Sequence, residues 1–136
     1  MEKIVVYLDM DGTIANLYGI ENWLPRLRNE DESIFLECAP IVTESELRRH
    51  FPESLYDVRI LSMTPMNAST EYCMNVINQK NAWLDKYFPS ISKRIYRKYG
   101  HNKNLKNSQY AILIDDSKSI RESWRGLAFD PAIYWD

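Results

Sequence analysis

Three short apolar runs, each broken off by a polar residue, constrain this chain more than any other feature of its sequence. IVVYL at residues 4–8 stops at Asp9, DVRIL at 57–61 stops at Ser62, and YAILI at 110–114 stops at Asp115. Short aliphatic and β-branched runs bounded by turn residues mark strands buried on both faces. Arg94 to Tyr96 and the GLAFD stretch near the end are two further candidate strands. Between the runs the period changes to that of a helix. Residues 69–88 put Tyr72/Cys73, Val76/Ile77, Trp83/Leu84 and Tyr87/Phe88 on one stripe, with Ser69 as N-cap and Pro89 as the stop. Lys80 interrupts this stripe, and its stem is expected to run along the apolar surface. Residues 117–127 align Ile120, Trp124 and Leu127 behind a Ser117 cap, and Thr43 with Glu46 forms a capping box for a helix over 43–50.

Strands alternating with helices predict an α/β, Rossmann-like fold, with a central parallel sheet and helices on both faces. Ligands of such sheets bind beyond the carboxyl ends of the strands. The polar residues at or near those ends are Asp9, Asp11, Ser62, Lys103, Asp115 and Asp116.

Composition narrows the alternatives. The chain has 136 residues, room for one domain, and at 45% hydrophobic and 26% charged it is globular in character. No run of about 18 apolar residues is present, so no membrane span is expected. MEKIVVYLDMDG has no basic region ahead of its apolar run and does not read as a signal peptide. Cys38 and Cys73 form neither a metal spacing nor a disulfide framework, so a reducing, cytoplasmic setting is the simplest expectation. The net charge of -2 conceals an asymmetry: the first 57 residues carry 12 acids against 5 bases, the rest 7 against 12. Most of the basic excess lies at 92–106 and reads as a solvated face rather than a nucleic-acid patch.

LDMDGT at residues 8–13 sets two carboxylates at the end of a buried strand, with Gly12 permitting a sharp exit and leaving backbone N–H groups able to hold an anion. Burying two acids there costs several kcal/mol unless a cation compensates. YAILIDD repeats the pattern. Should both clusters share one sheet edge, carboxylates about 4 Å apart repel by roughly 4 kcal/mol at an effective dielectric near 20. Such a site needs a metal, raised pKa values or a cationic neighbour, and Lys103 is the candidate neighbour. Oxygen-only ligands favour Mg²⁺ over Zn²⁺. A calcium loop is set aside: counted from Asp9, glycine falls at position 4 and Ile20 at position 12, where that loop needs glycine at 6 and glutamate at 12.

The order of these elements resembles the haloacid dehalogenase-like phosphohydrolase superfamily. DMDGT at 9–13 matches its first motif, Ser62 its second, Lys103 its third and IDD at 114–116 its fourth. The SMTP turn, the Trp83–Leu84 to Phe88–Pro89 helix end and LIDDS look closest to the deoxyribonucleotidase branch and its small phage or bacterial relatives. Thr64 competes with Ser62 for the second motif. The resemblance implies a single domain over 1–136, with 14–50 as a small helical cap. It implies Asp9 as a nucleophile forming an aspartyl-phosphate, and Asp11 as general acid and base. Ser62 and Lys103 would hold phosphoryl oxygens while Gly12 and Thr13 shape the loop. Mg²⁺ would be held by Asp9, the Asp11 carbonyl and the Asp115/Asp116 pair, with Asp115 the direct ligand. The expected substrate is a small phosphomonoester, with nucleotides the leading class, and Trp23 and Arg26 of the cap are candidate substrate contacts. The rival expectations are a non-catalytic binder of a nucleotide-derived signal and a nucleic-acid end phosphatase using the basic segment.

Overall fold

Five strands form one sheet with every neighbouring pair parallel: β1 (Ile4–Leu8), β2 (Tyr56–Thr64), β3 (Arg94–Lys98), β4 (Ile112–Ile114) and β5 (Ala128–Phe129), in the order β3-β2-β1-β4-β5. This is a computed structural model and it describes residues 2–100 and 102–135. The α/β, Rossmann-like expectation holds. Chain order runs outward from β1 through β2 to β3, then returns across the sheet to β4. The gap between β1 and β4 is therefore the switch point at which such sheets open a ligand crevice. Leu8 pairs with Ile60 on one side and Ile114 on the other, so β1 and β4 release their chains at the same edge. The Asp9 amide donates to the Ile114 carbonyl at 3.0 Å and fixes that junction.

Alternation along the strands fills both faces. Val6, Leu8, Val58 and Ile60 join the larger core, beneath the helix α3 (Thr70–Tyr87), whose Val76, Trp83 and Leu84 face them. Tyr7, Leu61 and Leu113 join a smaller core on the other face, closed by Trp124. Segment 14–50 contains α1 (Trp23–Arg28), a 3-10 turn at Ile34–Glu37 and α2 (Glu44–His50). Ile34, Phe35, Cys38 and Leu47 of this segment lie in the larger core itself, and the Gln79 side chain of α3 accepts from the Phe35 amide at 2.9 Å. Within this segment α1 alone has no fully buried residue, and it rests Trp23 and Leu27 against the core. The expected cap is thus largely part of the core, with the six-residue α1 as its most exposed helix.

Both predicted caps that hold do so through the expected atoms. Thr43 Oγ1 accepts from the Glu46 amide and Ser69 Oγ from the Tyr72 amide, each at 3.1 Å. Other boundaries shift for physical reasons. β2 runs on to Thr64 because β3 pairs with it to the end, Ser62 opposite Tyr96 and Thr64 opposite Lys98. Tyr110 lies in a 3-10 turn rather than in β4. The last helix, α4, covers only Lys118–Ser123. Trp124 leaves it extended, packs edge-on against Tyr7 with centroids 5.7 Å apart, and donates its indole N–H to the Ala111 carbonyl at 3.0 Å. That tertiary contact outweighs continuation of the helix and leaves Leu127 exposed. No helix among the described residues is long and apolar enough to cross a membrane.

Candidate active site

The loop after β1 is wound tightly on one carbonyl. Met10 O accepts from the amides of Thr13, Ile14 and Ala15, and the Gly12 amide donates to Ala15 O at 2.9 Å. Gly12 has φ +80°, and a Cβ there would lie 2.2 Å from Asp116 Oδ2. Glycine is required on both counts. Behind the loop, Trp135 donates its indole N–H to Thr13 O at 2.9 Å. Thr13 is buried and turns its hydroxyl toward Asp9, donating to Oδ2 at 3.0 Å.

The two acid clusters meet, as the switch point dictates. Oxygens of Asp9, Asp115 and Asp116 all lie within 4.8 Å of one another. Lys103, buried beside Asp9 and Asp115, donates to Asp9 Oδ1 and Asp115 Oδ2, each at 2.8 Å, and to Leu61 O at 2.9 Å. Burial alone would lower the Lys103 pKa, but Asp9 and Asp115 outweigh it and raise it above the usual lysine value. One lysine does not neutralise three carboxylates. Burial, reinforced by Asp9, holds Asp115 and Asp116 well above the ordinary carboxylate range. Asp115 has both oxygens engaged, since the Ser117 amide donates to Oδ1 at 2.9 Å. Asp116 lies against Asp9 and receives a long 3.5 Å contact from Thr13 Oγ1.

Asp11 stands apart from this cluster. Its Oδ2 accepts from Lys80 Nζ at 3.1 Å, and its Oδ1 is buried with no hydrogen-bond partner. Burial raises its pKa, and the Lys80 charge opposes that shift without cancelling it. Lys80 is fully buried and also donates to Ser62 Oγ at 2.8 Å and Met63 O at 2.9 Å. Its stem follows the apolar face of α3 as expected, but sequence reasoning did not bring its ammonium into the site. The one available signal was a cation inside an otherwise apolar stripe.

The acids open into a cavity of about 960 Å³, bordered by α1, the β2–α3 loop and the start of α4. Asp9, Asp11, Lys103, Asp115 and Asp116 line it. Ser62 does not: it is fully buried, and its hydroxyl serves Lys80. Thr64, the true end of β2, borders the cavity in its place. Trp23 also lines the cavity, edge-on to Tyr18 with centroids 4.9 Å apart. Arg26 is not at the wall. Its guanidinium is spent on Asp31 at 2.8 Å and, as a fork, on Glu37, whereas its neighbour Arg28 faces the cavity. The spacing of apolar and basic residues on α1 could not separate these two arginines. A scan against protein-family models finds no match for the chain, and a search of curated proteins finds none.

Proposed function

We propose that this protein is a magnesium-dependent phosphohydrolase of the haloacid dehalogenase-like type, acting on a small phosphomonoester through an aspartyl-phosphate. The observation that carries the reading is the division of labour between two aspartates two residues apart. Asp9 is held by Lys103 and Thr13 at the mouth of the switch point, oriented and charge-compensated as a nucleophile must be. Asp11 is held by Lys80 at one oxygen while burial favours a proton on the carboxyl. A carboxyl whose pKa is raised beside one that is ion-paired is the pattern of an acid–base catalyst next to a nucleophile.

The donor set fits a hard divalent cation. Asp9, Asp115 and Asp116 offer only oxygens, and their negative charge exceeds what Lys103 supplies. When bound, Mg²⁺ would neutralise the repulsion between an anionic nucleophile and an anionic phosphate. Asp9 attacks phosphorus, and the P–O bond to the leaving group breaks as the new one forms. Asp11 passes its proton to the departing oxygen. It then takes a proton from the water that cleaves the aspartyl-phosphate, returning Asp9 and inorganic phosphate. Lys103 keeps Asp9 aligned through both steps. Ser62 acts indirectly, by positioning Lys80. The test is phosphate release from an aryl phosphate with Mg²⁺. Wild type turns over, Asp9→Asn falls at least 10³-fold, and an Asp9→Asn variant with full activity refutes the mechanism.

A further inference from the structure

The cavity extends well beyond what a phosphoryl group needs, and the character of its walls changes with distance from the acids. Tyr18, Trp23 and Leu24 form one wall, and Met63 near the end of β2 with Pro65 and Met66 of the following loop form another. Several of these side chains are exposed despite their size: Met66 is 62% exposed, Tyr18 50% and Leu24 39%. Apolar side chains left in water around one concavity mark a place where an apolar surface is received. The walls are also tied together. Glu30, beyond α1, accepts from the Ser69 amide at 2.9 Å and from Ser69 Oγ at 3.1 Å, linking the cap segment to the N-terminus of α3.

The charge around the cavity bears on what can enter. Asp9, Asp11, Glu30, Asp115 and Asp116 line it, against Arg28 and Lys103 alone among the described residues. Lys103 is already committed to two of the acids. With Arg26 withdrawn to Asp31 and Glu37, the cap offers one cation to a distant anionic group. Among the described residues a second phosphate would therefore find Arg28 alone to pair with.

We infer that the substrate is a monophosphate ester whose leaving group carries a flat, uncharged aromatic ring, seated between the Tyr18–Trp23 pair and the Met63–Met66 segment. This deepens the proposed function and rests on it for the placement of the phosphoryl group at Asp9. An aromatic ring can lie against Trp23 and Tyr18 in offset or edge-on contact, and the thioethers of Met63 and Met66 adapt to its other face. Sugar phosphates and bisphosphates gain nothing from either wall.

The experiment separates binding from turnover. Calorimetric titration with Mg²⁺ compares (1-naphthyl)methylphosphonate with methylphosphonate, neither of which can be hydrolysed. The naphthyl compound should bind at least 30-fold more tightly, and Trp23→Ala and Met66→Ala should each remove at least fivefold of that preference. Met66 sits on an exposed loop, and Trp23 on α1 rests partly buried against the larger core, so circular dichroism is used to check that both variants fold. Equal affinities for the two phosphonates, or variants that keep the full preference, overturn the inference. In parallel, phosphate release is followed from naphthyl phosphate, a nucleoside 5′-monophosphate, glucose 6-phosphate and fructose 1,6-bisphosphate. The two ring-bearing monoesters should exceed the other two in kcat/KM by at least tenfold. A higher rate on the first identifies a bare ring, and on the second a ring carried on a sugar. A sugar phosphate or bisphosphate as best substrate overturns the inference while leaving the phosphohydrolase reading intact. Naphthyl selectivity in binding without any phosphate release sinks the phosphohydrolase reading and leaves the aromatic site standing.

Discussion

Replacing Lys80 by methionine removes one charged nitrogen from the site while nearly preserving the volume of the side chain. In the native protein that nitrogen serves Asp11, Ser62 and Met63 O at 3.1, 2.8 and 2.9 Å. Breaking a buried ion pair costs about 3–5 kcal/mol, because the surviving charge is left without compensation. The Asp11 side chain retains 20% of its exposure and can take up a proton, which places the loss at about 3 kcal/mol. With a urea m-value of about 2 kcal/mol/M, the unfolding midpoint falls by about 1.5 M at pH 8. The sign of the pH effect follows from Asp11. Its pKa is already raised in the folded state, and removal of the Lys80 charge raises it further. A carboxyl with a raised folded pKa is most favourable to stability when protonated, so the variant loses stability as pH rises through the window above 3.8. At pH 4.5 the deficit shrinks as Asp11 moves toward its protonated form, leaving the loss of the ammonium's hydrogen bonds to Ser62 Oγ and Met63 O, partly offset by apolar burial. Adding Asp11→Asn to Lys80→Met recovers more than half of the loss at pH 8. Urea denaturation at both pH values, with wild type and the double variant alongside, provides the assay. A loss below about 1 kcal/mol at pH 8, or one that does not change with pH, refutes the argument that Lys80 compensates a buried carboxylate.

Asp115 and Asp116 carry pKa values above the usual 3.8, so the folded chain binds more protons than the unfolded chain across that range. Without metal, their contribution makes stability fall as pH rises from 4 to 8. Mg²⁺ should bind with proton release, its affinity should rise with pH, and it should restore the stability lost, as read by thermal melts with and without the ion. Gly12→Ala places a methyl where Asp116 Oδ2 lies, at positive φ. A loss of about 1–3 kcal/mol in urea and a weaker Mg²⁺ isotherm are expected. Trp135→Phe keeps most of the packing but drops the hydrogen bond to Thr13 O, costing about 1 kcal/mol, with kcat more affected than KM.

The parts of the site that were legible in the sequence are those that sit where a strand ends. A buried strand must release its chain at the sheet edge, so runs closing at Asp9 and Asp115 announced both position and chemistry. β2 obeyed the same rule, but its end was misplaced, because pairing with β3 carries the strand two residues past Ser62 to Thr64. Lys80 was hidden for a different reason. Side-chain periodicity reports which face of α3 is buried, and it says nothing of how far a long flexible stem reaches within that face. Arg26 and Arg28 posed the same difficulty on α1, where only the positions of Asp31 and Glu37 decide which guanidinium is free. Trp124 shows a tertiary contact overriding helix propensity, a competition that local sequence does not record.

The Thr13 carbonyl leans on Trp135, and Asp9 meets its lysine and acid partners only across the seam between β1 and β4. A ribosome therefore releases the DMDGT stretch long before it makes the groups that tame it. Until β4 slots in beside β1, those early aspartates remain hydrated acids without their carboxylate neighbours. The acid cluster is thus completed late in vectorial synthesis, and a truncated product ending before β4 carries DMDGT without Asp115 and Asp116.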